Sequence, residues 1–107
     1  MKITSRSKDG VRRVKIDGEM SIYHASEMRE KFLSLLGGKG DIELNLQQVT
    51  ALDSVGLQLL CALKRDASAK DMPVRIVEHS TAVIDVIDTF QLGSFFGDPI
   101  LLSANAA

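Results

Sequence analysis

Asp41-Ile42-Glu43-Leu44-Asn45-Leu46 is followed, after Gln47–Leu52, by Asp53-Ser54-Val55-Gly56-Leu57-Gln58-Leu59-Leu60. The first stretch alternates, with Ile42, Leu44 and Leu46 on one side and Glu43 and Asn45 on the other. Successive side chains of an extended chain point to opposite faces, so this is a strand with one buried face. The second stretch changes period. Leu57, Leu60, Cys61 and the stem of Lys64, widened by Leu59 and Leu63, form a stripe at helical spacing that runs to about Ala69. Asp71-Met72-Pro73 breaks that helix. Val74–Glu78 is a further strand, alternating or fully buried. Strand, helix and strand in this order imply two parallel strands joined by a right-handed crossover.

Outward from this unit the reading continues in both directions. Lys2–Ser7 and Val11–Asp17 are strands of a hairpin turned by Lys8-Asp9-Gly10, with Val14 and Ile16 on one face and Gly18 ending the second strand. A helix is expected over Ala25–Leu36, with Ala25, Met28, Phe32, Leu35 and Leu36 on one face, and Gly37-Gly38 stop it. Gln47–Leu52 reads as a short loop. Ser80 reads as the N-cap of a third helix, with Val83, Val86, Ile87 and Phe90 turned inward. Phe95–Leu102 is an edge strand or an extended arm, and Ser103–Ala107 is an unstructured tail, so the domain is expected over residues 1–102. The order β-β-α-β-α-β-α gives a mixed sheet with helices in a single α/β domain.

Composition narrows the function classes. The chain has 107 residues, enough for one core but not for a core and a deep substrate cavity. Its net charge of −1 does not suit a tracker of the phosphate backbone, so nucleic acid is not expected as a partner. The N-terminus has no apolar stretch of the kind found in signal peptides, and no run reaches the ~18 apolar residues of a membrane span. A cytoplasmic location without membrane insertion is the expectation. The single cysteine, Cys61, lies in an apolar stripe and reads as a buried small hydrophobe.

Chemistry points to one place. Asp53-Ser54-Val55-Gly56 is a turn that presents a hydroxyl where a helix begins. Unpaired N–H groups and the positive end of the helix dipole favour an anion there. Asp53 or Ser54 is the N-cap, and Gly56 permits close packing; a capping serine can also accept a phosphoryl group. The neighbouring Asp53 carboxylate opposes a phosphate of about −1.5 to −2 charge, so phosphorylation would charge the surface without stabilising it. His79, at the end of the last strand, could approach Ser54, but Asp53-Ser54-Val55-Gly56 is not the Gly-x-Ser-x-Gly elbow of hydrolases. His24 and His79 with Cys61 do not make a metal site, and neither a P-loop nor a Rossmann fingerprint is present. No cofactor and no catalysis are expected.

Asp17-Gly18-Glu19-Met20, Leu44-Asn45-Leu46, Asp53-Ser54-Val55-Gly56-Leu57 and Ser80-Thr81-Ala82-Val83 with Phe90-Gln91-Leu92 together resemble the STAS family, typified by bacterial anti-sigma-factor antagonists. The resemblance implies a STAS-like single domain with a mixed sheet and three or four helices. It implies a signalling adaptor whose Ser54 is phosphorylated by a partner serine kinase, itself the anti-sigma factor, with a histidine-kinase-like ATPase fold. A PPM-type phosphatase would restore the serine. The docking surface would comprise Ser21, Tyr23, His24, Asp53, Ser54, Val55, Gly56 and Gln58. Val55 stands where many antagonists have Ser or Thr, and Ser21 where many have Asp. These departures keep open an alternative, a STAS subunit that is not phosphorylated and docks on the ATPase of a phospholipid ABC transporter.

Overall fold

A computed structural model of the chain describes residues 1–89. Its elements are β1 (Lys2–Lys8), β2 (Val11–Met20), a 3₁₀ turn (Ile22–His24), α1 (Ala25–Leu36), β3 (Asp41–Leu52), α2 (Ser54–Ala69), β4 (Val74–His79) and α3 (Thr81–Thr89). The four strands lie in sequence order, β1-β2-β3-β4. β1 and β2 form an antiparallel hairpin through Asp9 and Gly10, both at positive φ, which matches the twist of the strands it joins. β2, β3 and β4 are parallel, so α1 and α2 are crossovers.

This order decides where the core lies. A sheet wound in one direction through right-handed crossovers collects its helices on one face. Val14 and Ile16 of β2, Ile42, Leu44 and Leu46 of β3, and Val74 and Ile76 of β4 are buried on that face. Met28, Phe32 and Leu35 of α1, Leu57, Leu60 and Leu63 of α2, and Val83 and Ile87 of α3 close over them. Arg13, Lys15 and Arg75, at the alternating positions, point to the other face.

The expected elements form, with two extensions. Gly18 does not end β2, and Gln47–Leu52 is not a loop. Asp17, Gly18, Glu19 and Met20 pair with Gln48, Val49, Ala51 and Leu52, so both strands run on in parallel. Register shifts between Lys15 and Asp17 and between Gly18 and Glu19 interrupt the ladder. Each bulge adds a residue and breaks the alternation of faces. Consequently the buried positions of β3 change from every second residue, Ile42–Leu44–Leu46, to every third, Leu46–Val49–Leu52. Gly18 itself, at φ +116°, adopts a conformation that other residues rarely reach. Cys61 is only partly buried, and that burial raises its thiol pKa against the opposing field of Arg65. Phe90, Phe95–Leu102, the Ser103–Ala107 tail and the boundary at residue 102 lie outside the described residues.

Arg12 ties the far end of the layers together. Its guanidinium donates to the Leu35 carbonyl at the end of α1 (2.7 Å) and to the Gly40 carbonyl before β3 (3.1 Å). It thereby joins the Gly38 N–H on the Leu35 carbonyl and links the end of α1 to the start of β3. Lys70 Nζ donates to the Leu36 carbonyl at 3.2 Å. Arg12→Met, which keeps much of the stem but removes the donors, is expected to cost about 1.5–3 kcal/mol in denaturant unfolding, with an unchanged denaturant slope.

Candidate functional site

The site is built where β2 and β3 end side by side, at the paired residues Met20 and Leu52. Asp53 follows β3 in an extended conformation, and its backbone N–H donates to the Met20 carbonyl at 3.2 Å. Its side chain is the N-cap of α2: Oδ1 accepts from the Gly56 N–H at 2.9 Å. Oδ2 reaches across to the other chain segment and accepts from the Ile22 N–H, also at 2.9 Å. One carboxylate therefore fixes both the start of α2 and the 3₁₀ turn that follows β2. These two N–H groups, that of Gly56 first and that of Ile22 second, hold the Asp53 carboxyl below its ordinary pKa, against a smaller opposing effect of burial.

Gly56 is the second condition of this geometry. A Cβ at this position would lie 2.2 Å from the Met20 carbonyl oxygen and 2.9 Å from a Leu52 methyl. The first turn of α2 can thus rest directly on the strand ends only because residue 56 has no side chain.

Ser54, the first residue of α2, is exposed, as is Gln58 one turn later. Among the described residues no hydrogen bond engages the Ser54 hydroxyl. Beside them the 3₁₀ turn presents Tyr23, 85 % exposed, and Ile22, 61 % exposed. His24 lies at the entry to α1 and is half-buried, with Nδ1 3.6 Å from Glu27 Oε1. Val55 is half-buried.

Two residues expected on the docking surface are turned into the structure. Ser21 is 5 % exposed; its hydroxyl donates to Glu19 Oε1 at 2.8 Å and accepts from the Tyr23 N–H at 3.3 Å. It caps the 3₁₀ turn and offers its side chain to the fold. Gly56 is buried for the packing reason above. Ile22 supplies surface in their place. Its signal in the sequence is an isoleucine outside both flanking periodic patterns.

The hydrolase-like alternative does not assemble. His79 pairs with Leu46, six residues before the Leu52 end of β3. At about 3.3 Å per residue that is on the order of 20 Å from the start of α2. His79 lies beside the middle of β3, whereas Ser54 follows its C-terminal end. Among the described residues, no group of three His, Cys, Asp or Glu is placed to hold a metal ion, and no helix is long and apolar enough to cross a membrane.

Two consequences are measurable. Gly56→Ala is expected to cost at least about 1–3 kcal/mol, as an overpacked site does, read as a lowered denaturation midpoint. Asp53→Asn leaves one acceptor oxygen for two N–H groups and lowers stability at neutral pH. Because the folded-state pKa of Asp53 lies below its unfolded value, the charged form stabilises above that value. The contribution fades as pH falls through the folded value, so the difference between wild type and Asp53→Asn should narrow below about pH 4.

Comparison with known proteins agrees with this architecture. A family model described as Mlab, STAS domain, matches residues 3–102. An anti-sigma factor antagonist from Mycobacterium paratuberculosis superposes with a TM-score of 0.81 at 23% identity, over 98% of this chain and 91% of that one. The anti-sigma factor antagonist SpoIIAA in its unphosphorylated form gives 0.72 at 18% identity, over 96% of this chain and 92% of that one. The Bacillus cell fate determinant SpoIIAA in its phosphorylated form gives 0.69 at 18% identity, over 98% of this chain and 97% of that one. A search of curated proteins finds no match. With the family model spanning nearly the whole chain, and the same fold in these structures, the chain belongs to the STAS domain family.

Proposed function

We propose that this domain is a signalling adaptor that works by protein contact, and that Ser54 is its switch. The observation that carries the reading is the exposed Ser54 at the start of α2, beside the exposed Ile22, Tyr23 and Gln58. A partner serine kinase of the anti-sigma-factor kind reaches this hydroxyl without unfolding anything, and a PPM-type phosphatase reverses the modification. The fold similarity to antagonists, one of them solved in a phosphorylated form, supports the assignment.

The Asp53 carboxylate explains why a phosphate would disrupt docking. It already accepts from Gly56 at the helix start, so the best donor for a phosphate is taken. A phosphoryl group on Ser54 would add about −1.5 to −2 charge beside an existing negative charge. That charge stays exposed on a surface whose large exposed side chains include an isoleucine and a tyrosine. A partner packed there would bury it without compensation, at a cost of several kcal/mol. A switch from almost wholly bound to almost wholly free requires about 5.5 kcal/mol.

Val55 and Ser21 favour a second reading. Val55 provides no second hydroxyl, and the Ser21 hydroxyl is committed to Glu19 and Tyr23. A STAS subunit that docks permanently on the ATPase of a phospholipid ABC transporter would use the same surface with no phosphorylation cycle.

Intact-mass measurement on protein purified from its own host separates the two. The switch predicts a phosphatase-sensitive phosphate, absent from Ser54→Ala. Ser54→Glu should bind the copurifying partner at least about tenfold more weakly than wild type, and Ser54→Ala should retain it. An unmodified wild type, with equal binding by all three proteins, supports the permanent subunit instead.

A further inference from the structure

We propose that the helix-free face of the sheet is a cationic surface that lies against anionic lipid headgroups. The register places Arg6, Arg13, Glu43 and Arg75 in one row across all four strands. Glu43 accepts from Arg13 Nε at 3.2 Å and from the Arg75 guanidinium, so both of its oxygens are engaged. No carboxylate in that row is left for Arg6, which faces Arg13 directly. Like charges opposite one another across a strand pair destabilise the pair. The fold gains nothing from this arrangement, whereas an external anion between the two guanidiniums would relieve it.

The adjoining rows continue the pattern. Lys8, Lys15 and Lys2 fall on the same face, against Asp41 and Asp17. Glu78, paired with Asn45, adds a fourth carboxylate, so six cations meet four carboxylates on one side of a chain whose net charge is −1. A depression of about 140 Å³ lined by Arg13, Lys15, Glu43, Asn45 and Val77 opens between the strands.

The chemistry of the face selects the occupant. Among the described residues its only large, exposed hydrophobic side chain is Val77; Ile22, Tyr23 and Leu33 belong to other surfaces. Tight protein partners depend on aromatic or apolar anchors seated in pockets. Single-stranded nucleic acid depends on aromatic platforms for stacking. Neither is offered here. A bilayer of anionic phosphates requires only positive charge on a broad surface, and each Lys or Arg near it contributes about fivefold in affinity. Two net charges give about a 25-fold preference, a weak and reversible adsorption. The Ser54 turn lies at the strand ends, so the two surfaces can be occupied together.

The test is flotation of the full chain with vesicles of phosphatidylcholine alone or mixed equally with phosphatidylglycerol. Binding is expected only to the mixed vesicles at low salt, and it should fall as added salt shortens the screening length. Arg6→Glu combined with Lys15→Glu should weaken binding at least about tenfold. Its melting temperature should be equal or higher, because Arg6→Glu replaces a repulsion with an attraction. Three results would overturn the proposal: no binding to the mixed vesicles at low salt, binding that the double variant leaves intact, or polyglutamate captured more tightly than the vesicles, which would assign the face to an acidic protein.

Discussion

A single carboxylate organises the end of this domain where β2 and β3 finish side by side. Asp53 reaches two backbone N–H groups from two chain segments that are 31 residues apart in one case and three in the other. The nearer bond starts α2 and the farther one holds the 3₁₀ turn after β2. Without the first, the helix start loses its cap. Without the second, Ile22 and Tyr23 have no fixed relation to Ser54. A docking surface assembled from two loops would otherwise have to be ordered by its partner, at the expense of affinity. Here the ordering is done by the fold, and the group responsible is itself charged over the ordinary pH range.

The same carboxylate limits what the turn can do. A helix start normally attracts anions, and a neutral cap would leave its donors open to a phosphate. Asp53 fills that role itself and repels a second anion. The geometry therefore suits a surface that reports the charge of Ser54, and it does not suit a stable anion-binding site. Gly56 makes this possible by allowing α2 to begin against the Met20 carbonyl.

Much of this was legible in the sequence, and the failures share a cause. Alternation over Asp41–Leu46 and helical spacing from Leu57 onward mark β3 and α2 because each pattern reports one buried face. The Asp-Ser-Val-Gly turn identifies the capping pair, though only the coordinates assign the cap to Asp53 rather than Ser54. Residues 47–52 read as a loop because the two bulges shift β3 to a three-residue spacing that matches no regular strand. The family resemblance puts Ser21 on the docking surface, whereas the structure buries it. Its burial follows from a hydrogen bond to Glu19, a neighbour that sequence spacing does not mark as a partner. The Asp53–Ile22 bond is equally invisible, since it depends on which strand ends are adjacent.

Topology also separates the two surfaces. Because the sheet is wound in one direction, all crossovers stack on one face and the opposite face keeps its charged side chains. A doubly wound sheet of the same composition would have to cover that face with helices, and Arg6, Arg13 and Arg75 would then be buried at a desolvation cost that one Glu43 could not offset. Charge on the bare face is therefore permitted by the winding, but it is not required by it. Mixed charges would have kept the strands soluble equally well. The excess of cations there, in a chain that is slightly acidic overall, is the feature that solubility alone leaves unexplained.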